Sequence, residues 1–185
     1  SGVALHGDDA ARAAHEGVVP AHRRFERLVV LDGHVHVAPA GQLVGRGEPV
    51  QGLELRVSVP VGAAGARNAG VTVSTGDVLA FLDDDVVPDP DWYQRLAEDL
   101  ADLPADVAGS QGRVRVPLPD DRRPTDWERG TAGLATSSWI TADLAYRRAA
   151  LAAVGGFDER FPRAFREDSD LALRVMDTGA RLVRG

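Results

Sequence analysis

The chain has 185 residues, 44% of them apolar, which is enough for one sizeable hydrophobic core, so we expect a single globular domain. Its net charge of -7 argues against a nucleic-acid partner, because such partners are held by basic surfaces. Cysteine is absent, so disulfides and thiolate metal sites are not expected. No run of about 18 apolar residues occurs, so a membrane span is not expected either. We expect a cytoplasmic location.

Short apolar runs alternate with helical patterns along the first half of the chain. This alternation is typical of an α/β fold in which helices flank a mostly parallel sheet. Acidic N-cap residues and Pro90 mark helix starts, whereas Pro20 and Gly76 mark helix ends. The predicted elements are strands at Gly2–His6, Glu26–Gly33, Leu53–Pro60 and Asp77–Leu82, and helices at Asp8–Pro20, Gly62–Gly76 and Asp89–Asp102.

Two stretches, His34–Gly52 and Pro117–Ser138, do not follow this alternation. His34–Gly52 contains alternating apolar residues around a Pro-Ala-Gly turn, which permits a hairpin. Arg113–Val116 has the alternation of a strand. Pro117–Ser138 is rich in proline, glycine and charge, which predicts a long loop of the kind that often carries function.

Three adjacent acids, Asp83, Asp84 and Asp85, follow the predicted strand Asp77–Leu82. In open α/β sheets, ligands bind at the carboxyl ends of the strands. Alternate residues of an extended segment point the same way, so Asp83 and Asp85 share one side, and a hard divalent cation would offset their repulsion. The alternative is a solvated acidic turn that caps the next helix.

A second group of acids lies at the start of a predicted amphipathic helix, Phe165–Arg174. Acids in a first helical turn are favoured by the helix dipole, so a purely structural role is one interpretation. General-base catalysis is the other, since a carboxylate can take a proton from a hydroxyl within hydrogen-bond reach.

Two stretches together resemble family-2 glycosyltransferases of the GT-A fold. The first, Gly62–Trp92, contains an A-R-N-x-G helix and an F-L-D-D-D turn followed by P-x-P-x-W. The second, Ala145–Val183, contains R-R-x-A-L-x-x-V-G-G-F-D-E and then E-D-x-D-L-x-x-R. The resemblance implies one GT-A domain over residues 1–185, with a nucleotide-binding half at 1–92 and an acceptor-side half at 93–185.

The same resemblance assigns roles on the nucleotide side of the site. Asp85 and Asp83 correspond to the metal ligands, with Asp85 the more direct one and Mg²⁺ or Mn²⁺ as the cation. Asp32 corresponds to the acid that contacts the nucleotide base, and Arg67, Asp83 and Asp84 to further nucleotide-binding residues. The start of the chain departs from the family pattern, since it reads V-A-L-H-G-D-D instead of an I-P-T-x-N-R-like signature.

On the acceptor side, the resemblance makes Glu167 and Asp168 the catalytic pair, with Asp168 as the base. Asp170, one helical step away, is an alternative base. Gly155 and Gly156 correspond to a tight turn beneath the acceptor site. Among the tryptophans, Trp92 is interpreted as a packing residue and Trp127, inside the polar loop, as an acceptor-site candidate.

The expected function is an inverting, metal-dependent transfer of a sugar from a nucleoside-diphosphate sugar, of UDP or GDP type, to an acceptor hydroxyl. The acceptor is a glycan, a lipid-linked molecule or a small molecule. A catalytically impaired nucleotide-sugar-binding module is the alternative, as is a fragment of a larger multidomain protein, because no downstream helix and histidine follow the last strand. Nucleotidyl transfer and aspartyl phosphatase chemistry fit less well, since their loops after the first strand are missing.

Overall fold

The computed structural model describes residues 25–31, 34–39, 53–56, 62–83, 85–101, 104–161 and 163–185, with side chains from 62 onward except in residue 101. The predicted strand Gly2–His6 and helix Asp8–Pro20 lie outside the described residues, as do the two nucleotide-binding candidates Asp32 and Asp84. Among the described residues, no helix is both long and apolar enough to cross a bilayer.

The described strands form one sheet and helices pack against it, which confirms the α/β class predicted from the sequence. The strands are β1 (Phe25–Leu31), β2 (His34–Pro39), β3 (Leu53–Arg56), β4 (Val78–Asp83), β5 (Val107–Gln111), β6 (Leu144–Arg147) and β7 (Arg181–Arg184). The helices are α1 (Gly62–Val73), α2 (Trp92–Ala101), α3 (Asp126–Ala132), α4 (Arg148–Val154) and α5 (Glu167–Asp177). Two short 3₁₀ turns, Gly133–Thr136 and Thr141–Asp143, precede β6.

The described strands form one sheet in the order β3-β2-β1-β4-β6-β5-β7. The expectation of a mostly parallel sheet is wrong for these strands, because only β1–β4 and β5–β7 pair in parallel. The other four pairings are antiparallel. One cause is connection length: Leu31 pairs with His34, and the two residues between them are too few for the crossover that a parallel pair requires.

Strand β4 is the centre of the core, because both of its faces are covered. Val78, Ala80 and Leu82 pack with residues of α2 in one hydrophobic cluster. Leu79 and Phe81 point to the other face, where they pack with residues of α1, α4 and α5. A strand buried on both faces reads as a continuous apolar run, which is why this element was visible in the sequence.

The segment Pro117–Ser138 contains a helix that the sequence interpretation missed. Helix α3 begins after Thr125, whose side chain accepts a hydrogen bond from the Glu128 backbone N–H while the Glu128 carboxylate accepts one from the Thr125 N–H. This reciprocal capping box follows the pattern T-x-x-E, so the signal was present in the sequence. No strand pairing forms at Arg113–Val116 among the described residues.

Candidate functional site

The end of β4 places Asp83 against helices α1 and α5. Arg67, on α1, donates from Nη2 to the Asp83 Oδ1 atom at 3.3 Å. It also donates from Nη1 to Glu167 Oε1 at 2.6 Å, although the two residues are 100 positions apart in the chain. The Arg67 guanidinium therefore joins the acidic end of the central strand to the first residue of α5.

The Arg67–Glu167 ion pair lies inside the protein. Arg67 is 6% exposed and Glu167 is 2% exposed, and the guanidinium carbon lies 5.6 Å from the centre of the Phe157 ring. Charged groups are buried only when they are paired, so each of these side chains depends on the other for its position. The sequence placed Arg67 beside the nucleotide and Glu167 in catalysis; the structure brings them together, which no local pattern indicated.

The Asp83 carboxyl is surrounded by other charges. Burial raises its pKa above the ordinary value, Arg67 lowers it, and the negative charges of Asp85 and Asp168 raise it further. Both the second acid of the D-x-D turn and the second residue of α5 therefore lie within electrostatic reach of the same carboxyl. Asp85 and Asp168 thus both influence the carboxyl of Asp83, which is one of the acids that the family resemblance assigns to metal binding.

Asp168 and Asp170 have different surroundings at the start of α5. Asp168 is partly buried, and its Oδ1 accepts the Ser169 backbone N–H at 2.7 Å. Asp170 accepts a hydrogen bond from the Nε of Arg174 at 2.8 Å in an i,i+4 ion pair. Within the part of the chain that the structure describes, Asp168 forms no ion pair, whereas Asp170 does.

The paired glycines form the tight turn that the sequence predicted. Gly155 ends α4 in the left-handed conformation with a φ of 74°, and Gly156 follows with a φ of 76°. A Cβ on Gly156 would lie 2.6 Å from Asn68 Oδ1, because Asn68 contacts the backbone of the next residue, Phe157. The asparagine of the A-R-N motif thus holds this turn against α1.

A cleft of about 880 Å³ opens beside β4 on the face covered by α2. Asp83 and Asp85 line it, together with Trp92, Arg113 and Asp143, whereas Arg67, Glu167 and Asp168 do not. Asp83, which also contacts Arg67, therefore lies between this cleft and the buried ion pair.

Asp143 is a cleft residue that the sequence interpretation missed. Its Oδ1 accepts a hydrogen bond from the indole Nε1 of Trp92 at 2.9 Å, and a Cβ on Gly112 would lie 1.9 Å from its Oδ2. Burial raises the pKa of Asp143, the Trp92 hydrogen bond lowers it, and Asp99 raises it. Asp143 lies 51 positions from Trp92 and outside the quoted motifs, so nothing local singled this acid out.

The tryptophans are placed differently. Trp92 is 8% exposed and packs in the α2 cluster, as the sequence interpretation preferred. Trp127 is 83% exposed on α3, one helical turn before Thr131, which lines the cleft. Residues four apart share a helix face, so Trp127 lies on the same face of α3 as Thr131, although Trp127 itself does not line the cleft.

The two acids of the D-x-D turn fit a hard divalent cation. Their ligand atoms are carboxylate oxygens, which suit Mg²⁺ and Mn²⁺, and the repulsion between Asp83 and Asp85 is of the kind that a cation offsets. Among the described residues, no group of three or more His, Asp or Glu side chains is placed to hold a metal. The remaining ligands would therefore be water or phosphate oxygens, and Asp85, which is exposed, is the more accessible carboxylate.

The sequence model of the family described as "Glycosyl transferase family 2" matches residues 16–158, which is most of the chain. The chain belongs to glycosyl transferase family 2. This confirms the family assigned from the A-R-N, D-D-D and G-G-F-D motifs, and the mixed α/β sheet agrees with the GT-A fold expected of that family.

Two curated relatives, both named "Pre-mycofactocin glycosyltransferase", come from the CDC 1551 / Oshkosh and H37Rv strains of Mycobacterium tuberculosis. Each is 33% identical to this family-2 chain over an alignment of 135 residues, and the alignment covers 65% of the chain. The chain spans 28% of the length of these relatives.

Two solved structures show a weaker similarity to the chain. A mannosyltransferase from Pyrobaculum calidifontis, in complex with GDP-Man and Mn²⁺, is 23% identical, with a TM-score of 0.47 over 66% of this chain and 33% of the other. The catalytic domain of Drosophila β1,4-galactosyltransferase 7, in complex with xylobiose, is 18% identical, with a TM-score of 0.44 over 65% of this chain and 44% of the other. The assignment to family 2 does not depend on either.

Proposed function

We propose that this family-2 domain transfers a sugar from a nucleoside-diphosphate sugar to an acceptor hydroxyl, with a divalent metal and with inversion at the anomeric carbon. The observation that carries the proposal is the link through Arg67. It holds Asp83, at the end of β4, beside the first turn of α5, where Asp168 lies. A donor bound at the end of the sheet can then meet a proton acceptor on α5.

The leaving group of this reaction is a nucleoside diphosphate, on which negative charge develops. A divalent metal, when bound, supplies charge that stabilises that diphosphate. Asp85 and Asp83 are the residues proposed to hold it, with Asp85 as the more exposed ligand. The nucleotide contacts of Asp32 and Asp84 remain part of the proposal on the strength of the family motif.

The acceptor hydroxyl must lose a proton as it attacks. Asp168 is proposed as the base that takes it, because its carboxylate is partly exposed and has no cationic partner among the described residues. An activated hydroxyl that attacks in line with the leaving diphosphate inverts the anomeric centre. No covalent sugar–enzyme intermediate is then needed, in contrast to retaining two-carboxylate hydrolases.

Trp127 is proposed as an acceptor contact, because it offers an exposed aromatic face on α3. Sugar rings and other flat or apolar groups stack on such faces. Because the curated relatives are named for pre-mycofactocin, that compound belongs in an acceptor screen beside glycans and lipid-linked sugars. A cytoplasmic location, where nucleotide sugars are available, is part of the same proposal.

Calorimetry with UDP and with GDP, each with and without Mn²⁺, tests the donor side. We expect one nucleotide to bind and Mn²⁺ to strengthen its binding. A transfer assay with the matching nucleotide sugars then tests for catalysis. Metal-enhanced binding without transfer to any acceptor would favour the binding-module alternative, and no nucleotide binding under any condition would contradict the proposal.

A further inference from the structure

We propose that Arg67 and Glu167 are a positioning pair that sets the orientation of Asp83, and that neither side chain contacts the donor or the acceptor. The inference depends on the proposed function, because the orientation of Asp83 matters only if a nucleotide and a metal bind at the end of β4. It changes the role of Glu167 from a catalytic group to one that acts through Arg67.

Glu167 is buried, whereas its neighbour in the chain, Asp168, is partly exposed. A general base must reach the acceptor hydroxyl within hydrogen-bond distance, but Glu167 is 2% exposed and its enclosed Oε2 atom has no hydrogen-bond partner among the described residues. Consecutive residues of an α-helix point about 100° apart, so Asp168 faces a different direction and stays partly exposed. The two acids of the E-D pair therefore have different tasks.

Among the described residues, Arg67 donates two hydrogen bonds of different length. The shorter one identifies the partner that holds the guanidinium in position. The bond to Glu167 is 2.6 Å and fully buried, whereas the bond to Asp83 is 3.3 Å and partly buried. Short charge-assisted bonds inside a protein are the stronger ones. Glu167, with the Phe157 ring on which the guanidinium rests, therefore fixes Arg67, and Arg67 in turn restrains Asp83 Oδ1.

Removing either partner should disturb Asp83 in a way that nucleotide binding can report. In Glu167→Gln, the Arg67 charge loses its main partner and turns toward Asp83, where it repels a cation. In Arg67→Met, Asp83 loses its restraint. We expect each variant to weaken the gain in UDP or GDP affinity that Mn²⁺ provides by about 10- to 100-fold, the usual cost of removing a group that orients a metal ligand.

The matched control is Asp106→Asn, which removes the carboxylate of the exposed Arg181–Asp106 pair at the β5–β7 side of the sheet. It should bind the nucleotide and Mn²⁺ as the parent does. Circular dichroism and thermal unfolding confirm that each variant is folded. If the pair had only a structural role, its variants would unfold at a lower temperature, but the folded variants would keep the Mn²⁺-dependent affinity of the parent. That result would overturn the inference.

The double variant Arg67→Met/Glu167→Gln separates a joint role from two independent ones. If both residues act through Asp83, the transfer rate of the double variant stays within about threefold of the worse single variant, because the second change removes nothing more. A catalytic Glu167 and a nucleotide-binding Arg67 would give losses that multiply. Multiplied losses overturn the inference.

Arg67→Lys and Glu167→Asp provide a second route if Glu167→Gln does not fold. Both keep the charges but not the paired geometry, so the Mn²⁺-dependent affinity should fall in each, and parent-like affinity in both would overturn the inference. The parent protein distinguishes the two levels of failure. A parent that binds neither UDP nor GDP contradicts the proposed function, whereas a parent that binds and a Glu167→Gln variant that binds equally well contradict only the positioning pair.

Discussion

The side-chain amide of Asn68 forms two hydrogen bonds with the backbone of Phe157: its Oδ1 accepts from the Phe157 N–H and its Nδ2 donates to the Phe157 carbonyl, both at 2.9 Å. Asn68 thus occupies both backbone groups of a loop residue that packs in the core. The contact ties α1, which carries Arg67, to the glycine turn that leads toward α5. Two motifs of the family, A-R-N and G-G-F-D, therefore contact each other in the folded protein.

Gly156→Ala should destabilise the protein more than Gly155→Ala. Both glycines have positive φ angles, which cost an alanine about 1 kcal/mol or more, but only at Gly156 would the new Cβ meet Asn68 Oδ1, at 2.6 Å. Nothing lies within 4 Å of a Cβ at Gly155, so this variant measures the backbone strain alone. Urea unfolding of both variants checks the order, and equal losses would contradict the role given to Asn68.

Asp168→Asn should reduce sugar transfer by about 10²- to 10⁴-fold, the typical contribution of a positioned base, while nucleotide binding persists. The matched variant is Asp170→Asn, which loses the Arg174 ion pair but, on the preferred assignment, not the base. Steady-state rates and calorimetry on both variants test this. A large loss in Asp170→Asn together with parent-like turnover in Asp168→Asn would transfer the role to Asp170.

Asp85→Asn should abolish the strengthening of nucleotide binding by Mn²⁺, because the exposed ligand carboxylate is lost. Asp91→Asn removes an equally accessible acid, in an i,i+4 pair with Arg95 on α2, and should leave that strengthening intact. Titration of each variant with Mn²⁺ at fixed UDP or GDP measures the difference. Parent-like Mn²⁺ dependence in Asp85→Asn would place the metal elsewhere.

Asp143→Asn should stabilise the protein at neutral pH. Burial raises the pKa of Asp143 in the folded state, so the stability linked to this group is complete below the ordinary value of 3.8 and is lost as the pH rises through the raised pKa. Asparagine removes the buried charge and keeps an oxygen for the Trp92 N–H. Unfolding temperatures between pH 3 and pH 8 should show a gain that shrinks as the pH falls.

Asp106→Asn is the control for that experiment, because the pKa of Asp106 is shifted in the opposite direction to that of Asp143. Its hydrogen bond with Arg181 lowers the pKa of Asp106, so its contribution is present above 3.8 and is lost as the pH falls through the lowered pKa. The asparagine variant should therefore gain nothing at neutral pH. A similar gain in both variants would mean that general charge reduction, and not burial, is the cause.

Trp127→Ala should raise the KM for the acceptor by about 2- to 10-fold, which is what one aromatic stacking contact is worth, and leave the nucleotide affinity unchanged. Leu173→Ala, at an exposed apolar position on α5, is the control. Initial rates over a range of acceptor concentrations give the comparison. An unchanged acceptor KM would remove α3 from the acceptor site.

Several elements could be predicted because their signals are local. Strand β4 was recognised from a run of apolar residues, and α5 from its apolar periodicity and the acids in its first turn. Helix α3 was missed although Thr125 and Glu128 spell a capping box, because its polar and glycine-rich composition favoured a loop. The antiparallel pairing of β1 with β2 depends on connection length, which a strand pattern does not show.

The sequence by itself determined the family, the central strand and the acids at its end, since these follow from short motifs and from periodicity within a few residues. Only the tertiary structure decided what each acid faces. Glu167 and Asp168 are neighbours in the chain, yet one is buried against Arg67 and the other is partly exposed. That difference arises from packing between α1, β4 and α5, whose partners lie up to 100 residues apart, and no local pattern encodes it.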